Sequence, residues 1–470
     1  MSLPRSIGLL AAAIFLTVSR ASAQAPEANP DARALEREIL EQLVGINTSD
    51  SAGGTPLAAQ AMAGRLLAAG LPAADVHVVG HAARYQSLVA RLRGRGVRRP
   101  VLLMAHLDVV DARREDWSTE PYSLVEQGGF YYGRGTSDNK AGAAMLVANL
   151  IRYLREGFTP DRDIIVVLTA DEETTGESIR WLLAERRDLV DAEIALNTDG
   201  GGGAYQNGKP AMFSVQAAEK VYQSYTVEVR NPGGHSSLPV PDNAITRLSR
   251  ALVALAAHTF PLRLTPITRI AFERGGVLMD STLRRDLVRV ALTGDTTAAE
   301  RLSTASPYLN AVLRTTCVAT RLFAGHADNA LPQLARATLN CRVHPDDTLE
   351  TVEAALRQVV ADTAISLIRE GEAIPSPASP LRSDVLGPIE ALVAQFWPGV
   401  PVVPEMSTGA TDGLFTRNAG IPTYGVAAIF EDINDSRAHG RDERVGVEEF
   451  HLAAAFWYEL VKRMAGGRTT

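Results

Sequence analysis

A chain of 470 residues, 46% apolar and 21% charged, is long enough for more than one domain and apolar enough to bury cores of its own. Its formal net charge of −7 is spread along the sequence, and no lysine- and arginine-rich patch interleaved with aromatics is present to track a phosphate backbone, which argues against a nucleic-acid partner. Cys317 and Cys341 allow one disulfide or two buried free thiols.

The chain opens on an address. Arg5 precedes the apolar run "IGLLAAAIFLTV", and "SRASAQA" follows, with Ala21 and Ala23 at the small-residue positions that precede a cleavage site. The pattern predicts a signal peptide over residues 1–23 and an exported protein, periplasmic or secreted. The alternative is a membrane anchor, but the run is short for a bilayer and no later stretch is long enough to span one.

From about Glu36 to Trp181, helical stretches alternate with short apolar runs, the mark of an α/β layer on a largely parallel sheet. "VLLMA", "IIVVLTA" and "AEIALN" read as strands buried on both faces. Ligands of open α/β sheets lie beyond the carboxyl ends of such strands. His106 and Asp108 close the first run, Asp171, Glu172 and Glu173 the second, and Asn197 and Asp199 the third. Asp138 stands at a turn before an amphipathic helix carrying Met145, Leu146, Leu150, Ile151 and Leu154.

Taken singly, each of these residues has an ordinary role. An aspartate before a helix is usually a cap, a lone histidine is usually hydrogen-bonded in the core or at the surface, and "DEE" after a strand is often a solvated loop. Converging on one edge, the carboxylates repel one another unless a cation neutralises them, and unpaired buried charge costs several kcal/mol. Carboxylate mixed with imidazole, with no cysteine nearby, suits Zn²⁺, with Mn²⁺ or Co²⁺ as substitutes. The edge offers more than the three ligands one catalytic ion needs, which points to two ions sharing a carboxylate.

After residue 215 the pattern changes. "KVYQSYTVEVR" alternates as a half-buried strand, "PDNAITRLSRALVALAAHTF" is helical, "TTCVATRLFAGHADNALP" and "RATLNCRVHP" read as paired strands, and "DDTLETVEAALRQVVADTA" as another helix. This order predicts a small α+β domain.

"HLD", "GRGTSDNKAG", "TADEETTGES", "NTDGGG", "GGHSS" and "AHGRDERV", in this order, resemble the M20 metallopeptidases, di-zinc exopeptidases and N-acyl amino acid hydrolases. The resemblance covers nearly the whole mature chain and is nearest in character to the larger carboxypeptidase S-like members. It implies a zinc-exopeptidase-like catalytic domain over residues 24–215 and 375–470, its sheet mixed but mostly parallel, with a ferredoxin-like lid and dimerisation domain inserted at 216–374. Here that insertion is lengthened around "TRIAFERGGVLMDSTLRRDLVRVAL".

Carried across by position, the resemblance implies that His106 and Asp199 hold one zinc, Glu173 and His439 the other, and Asp138 bridges them. Asp108 orients His106, Glu172 is the general base, and His235, from the lid and often from a partner subunit's lid, steadies the oxyanion. The peptide bond Asp138–Asn139 is expected to be cis. Asn329 and Arg342 are expected to hold substrate, Arg342 through a carboxylate, although Arg342 reads equally as an ordinary strand-edge arginine. Gly409, Thr411 and Asp412, in "STGATDGLF", are candidates for lining the substrate-carboxylate pocket. Ala141 replaces a frequent glycine, and "TADEETTGES" lacks the usual paired glycines, but neither change touches a ligand.

The expected activity is cleavage of a short peptide next to its C-terminal carboxylate, as a carboxypeptidase or dipeptidase. The alternative is an N-acyl amino acid amidohydrolase; a metal-bearing binding protein without catalysis is a third reading, disfavoured because no ligand is lost. A homodimer through the lid and the absence of stable membrane insertion complete the expectations.

Overall fold

The computed structural model describes residues 29–469, so the expected signal peptide lies outside the described residues. Among the described residues no helix is long and apolar enough to cross a membrane.

The central strands are Val101–His106, Ile164–Thr169 and Ile194–Asn197. Val101–His106 lies between the other two, parallel to both, with His106 opposite Thr169 and Met104 opposite Asn197. All three therefore end at one edge. Thr423–Gly425 continues the parallel run beside Ile194–Asn197. Antiparallel strands flank this centre, Val76–Ala82 and Tyr85–Leu92 on one side, Lys209–Glu219 and Gly202–Gln206 on the other. Val402–Ser407 and Phe430–Asp432, each parallel to its neighbour, bring the sheet to ten strands. The sheet is mixed with a parallel centre, as the apolar runs predict. Its antiparallel flank at Val76–Leu92 was not legible: the edge strand Val76–Ala82 is only half-buried, and Tyr85–Leu92, though mostly buried beside Ile164–Thr169, has its short apolar run broken by Gln86, Ser87 and Arg91.

Alternate side chains of the central strand serve two cores. Val101, Leu103 and Ala105 meet the helices Pro30–Gly45, Lys140–Arg155 and Val447–Ala465, whereas Leu102 and Met104 meet the helix Glu177–Glu185 on the opposite face. Burial on both faces is what permits an unbroken apolar run here. Burying such strands and helices removes apolar surface worth roughly 25 cal/mol per Å², and this holds the strand ends in place.

A second sheet of four antiparallel strands runs in the order Thr316–Ala324, Leu334–Val343, Val221–Arg230, Ile365–Glu370. One face packs on the helices Ala244–Ala257 and Leu349–Val360 through a separate core that includes Tyr225, Val227, Leu248, Leu339 and Leu356. The other face carries Tyr222, Ser224, Asn340 and Arg342 and opens toward solvent and the cleft. Cys317 and Cys341 are cross-strand neighbours joined by a disulfide, which decides between the two readings of these cysteines.

The lengthened segment departs from the expectation that it belongs with the inserted domain. Its helices Pro266–Arg274, Ser281–Thr293, Thr296–Ala305 and Pro307–Leu313 bury Phe272, Leu287, Leu302 and Leu309 in the core of the large sheet, beside Val402–Ser407. Residue spacing shows that such helices are amphipathic but not which sheet their apolar faces meet. Where the chain passes between the two sheets, buried Lys220 donates from Nζ to the carbonyls of Ala311 and Arg314 and to Thr316, fastening the end of this helical segment to the crossover.

Candidate metal and catalytic site

The three strand ends and two loops build the site. His106 is the last residue of its strand and is buried. Its Nδ1–H donates to the Asp108 carbonyl at 3.0 Å, which fixes the tautomer and turns Nε2 outward to Asp138 Oδ1 at 2.8 Å. The other Asp138 oxygen, Oδ2, lies 3.1 Å from His439 Nε2, and that nitrogen lies 2.8 Å from Glu173 Oε2. One carboxylate thus stands between two imidazoles, an oxygen toward each. Two overlapping sets have potential ligand atoms within 4.8 Å of one another, His106 with Glu172 and Asp199, and His106 with Asp138 and Glu173.

Asp108 sits beside His106, but the contact differs from the expected one. Its carboxylate is 3.6 Å from Nδ1 and is engaged elsewhere, accepting from the backbone N–H groups of Glu172 at 3.2 Å and Glu173 at 2.9 Å. The orienting acceptor for His106 is the Asp108 carbonyl, while the side chain anchors the loop that presents both glutamates. Asp171, just before these glutamates, caps the helix Glu177–Glu185 by accepting from Glu177 and Ser178 N–H.

Asp138 is placed from two directions. The following peptide bond, Asp138–Asn139, is cis, and the Asn139 side chain bonds Thr198 in both directions, tying Asp138 to the strand end that carries Asp199. From the other side, buried Glu443 accepts from the N–H groups of Gly135, Ser137 and Asp138 and pairs with buried Arg134 at 2.6 Å. Sequence reasoning missed both residues. Their signal was position alone, since Arg134 lies inside "GRGTSDNK" and Glu443 inside "AHGRDERV".

The electrostatics follow from crowding. Burial lifts Glu172 well above the usual carboxylate range, and Asp199 beside it adds to the lift. Burial likewise pushes Asp199 up to about 7, helped by Asp138, and Asp412 up to about 8, helped by Asp108 and Asp171. Burial opposes ionisation of Asp138 too, but the hydrogen bonds from His106 and His439 outweigh it and hold its carboxyl low. Hydrogen bonds to Asp138 and Glu173 raise His439 to about 10. The cluster therefore carries more acid than its two imidazoles neutralise, and its nitrogen and oxygen donors are those that Zn²⁺, Mn²⁺ and Co²⁺ accept. The donor set fits divalent metal.

Beside it lies a cleft of about 540 Å³, lined by Glu172, Glu173, His439, Arg342, Gly409 and Thr411 among others. Arg342 reaches in from the small sheet, its guanidinium over the Tyr222 ring at 4.8 Å and, among the described residues, with no ion-pair partner. Thr411 is held by Glu219, which accepts from its N–H and hydroxyl and pairs with buried Arg417. Glu219 and Arg417 were not anticipated either. His235 and Asn329 are not brought to the cleft: both are exposed, His235 bonding Ser237 and Asn329 accepting from Ser236 N–H on the facing hairpin.

The profile of peptidase family M20/M25/M40 matches residues 102–463. The chain belongs to this family. It is 29% identical over 384 residues to the human N-fatty-acyl-amino acid synthase/hydrolase PM20D1, covering 77% of this chain and 74% of that protein. Among solved structures it is similar to an M20 family metallo-carboxypeptidase from Sulfolobus solfataricus, at TM-score 0.71 and 16% identity over 92% of this chain and 99% of that one. It also resembles a Bacillus subtilis M20 peptidase described as binding a dinuclear metal, at TM-score 0.58 and 11% identity over 94% and 100%. This M20 chain is thus a metallopeptidase-type hydrolase in which a His/Asp/Glu group at the strand ends is built to bind metal.

The raised His439 gives a testable consequence. Near neutral pH its imidazole holds a proton that coordination must displace, so loading with Zn²⁺ is expected to release protons and to tighten as pH rises toward about 10. Titration calorimetry in buffers of differing ionisation enthalpy measures the release; a heat independent of buffer would place His439 outside the metal site.

Proposed function

We propose that this M20 protein is an exported two-zinc hydrolase that cleaves an amide bond next to a free carboxylate, in a short peptide after the manner of a carboxypeptidase or dipeptidase. The observation that carries the reading is the Asp138 carboxylate set between His106 and His439, with Glu172 and Arg342, which has no ion-pair partner among the described residues, opening onto the same cleft.

In this reading His106, Asp138 and Asp199 would hold one ion and Glu173, His439 and Asp138 the other. Such ions would lower the pKa of an attacking water and polarise the scissile carbonyl. Glu172, whose burial raises its affinity for a proton, takes one from the attacking water and returns it to the leaving nitrogen as the carbon–nitrogen bond breaks. Arg342 receives the substrate carboxylate in a bidentate pair, and Gly409 and Thr411 border that end of the cleft. His235, on its exposed hairpin, reaches the oxyanion only after closure of its own domain or from a partner subunit. A homodimer is consistent with the exposed Val318, Leu322 and Phe323 on the edge strand Thr316–Ala324.

A second reading, hydrolysis of N-acyl amino acids, is favoured by the apolar part of the cleft wall, Val221, Ile374, Leu414 and Phe415, and by the likeness to PM20D1. Export is supported by the N-terminal pattern and by the Cys317–Cys341 bond, which suits an oxidising compartment. The mature protein recovered from the periplasm or medium should begin at Gln24; an intact N-terminus in the cytosol would contradict export.

The zinc-loaded protein, assayed against dipeptides, amidated peptides and N-acyl amino acids with a chelated control, should cleave only substrates with a free carboxylate. Glu172→Gln should retain both ions and lose at least about 10²-fold in kcat. Arg342→Ala should raise KM for carboxylate substrates. Near-normal turnover by Glu172→Gln would remove Glu172 as the base.

A further inference from the structure

The residues expected to hold the second ion come from parts of the chain some 300 positions apart, and one buried pair joins them. Glu443 is fully buried and takes four hydrogen bonds: one from Arg134 and three from the N–H groups of Gly135, Ser137 and Asp138. Arg134, also buried, divides its fork. Nη1 pairs with Glu443, while Nη2 donates to the carbonyls of Gly440 at 3.0 Å and His439 at 3.4 Å. Its guanidinium lies over the Trp117 ring at 5.1 Å, and its N–H donates to the Pro121 carbonyl.

Two features make this pair more than a stability device. First, it does not join side chains alone: Glu443 grips the backbone of the segment ending in Asp138, and Arg134 that of the segment beginning at His439. Second, His439 is an exposed residue with a left-handed backbone, φ 63°, so no packed core surrounds it; its backbone is reached by Arg134 at the His439 and Gly440 carbonyls, beside the local turn Arg437–Gly440 and the Ser118–Asp442 bonds. His106, by contrast, is the last paired residue of a central strand, and Asp199 follows two residues after the neighbouring strand, its N–H bonded to Asn197.

We propose that Arg134 and Glu443 form a clamp that fixes His439 relative to Asp138 and so governs retention of the ion on the His439 and Glu173 side, leaving the ion on the His106 and Asp199 side largely unaffected. Both are positioning residues. The proposal rests on the two-ion reading above and adds an asymmetry that the reading does not require.

Glu443→Gln keeps an acceptor oxygen for the backbone amides but removes the charge that holds Arg134. Arg134→Lys keeps the ion pair and loses the second arm of the fork. Zinc affinity and content of the full chain are measured by calorimetric titration and metal analysis, with Phe272→Ala, in the distant helical segment, as a control for general destabilisation. In each clamp variant one of two ions should bind about 10- to 100-fold more weakly, the other with wild-type affinity, and kcat should recover at saturating zinc; Phe272→Ala should retain both. Equal binding of both ions by wild type and clamp variants would overturn the clamp and leave the two-ion site standing. Parallel weakening of both ions, or the same loss in Phe272→Ala, would reduce the pair to a stability element. Wild-type protein that binds fewer than two ions would overturn the two-ion reading and the clamp with it.

Discussion

Excess negative charge confined at the ends of three parallel strands is the constraint around which this molecule is arranged. The sheet brings His106, Glu172, Glu173 and Asp199 to one edge because its strands are parallel and in register there, and the loop before Lys140–Arg155 adds Asp138. His106 is buried and the carboxylates are half-buried, and charges taken out of water cost several kcal/mol each unless they are paired. The consequence is visible in the raised proton affinities of Glu172, Asp199 and Asp412. Divalent cations resolve that cost in a way that two imidazoles cannot.

Much of the surrounding structure keeps these groups apart by fixed amounts. The Asp108 carboxylate holds two backbone amides of the Glu172–Glu173 loop, Asn139 and Thr198 join the Asp138 segment to the third strand end, and Arg134 with Glu443 joins it to the His439 loop. None of these contacts touches the cleft contents directly. They determine where the contacting atoms lie, which matters because displacements of about an ångström are costly in catalysis. On the far wall, the small sheet contributes Arg342, and the Glu219–Arg417 pair steadies Thr411.

The parallel centre of the sheet and the order of its acidic ends were legible in the sequence because a short unbroken apolar run suits a strand buried on both faces, and the residues that stop it must then lie at the sheet's edge. Asp138 was legible through its turn and helix, and His439 only through the resemblance to M20 enzymes, since nothing in its local pattern marks it. Contacts that depend on which atom of a residue faces which neighbour were not legible. Asp108 illustrates this: its place was anticipated, yet its carbonyl rather than its carboxylate meets His106. Glu443 and Arg134 read as ordinary loop charges until the fold buries them together. The helices of 266–313 show the same limit at larger scale, for their apolar faces are evident in sequence but the sheet they cover is decided by tertiary packing.

The central claim is that Asp138 bridges two ions held by opposite pairs of strand-end and loop ligands. Anomalous diffraction at the zinc edge from crystals of the zinc-loaded protein tests it most directly. Two peaks about 3.5–4 Å apart are expected, with Asp138 touching both, His106 and Asp199 beside one, and Glu173 and His439 beside the other. A single peak, or two peaks that do not share Asp138, would contradict it.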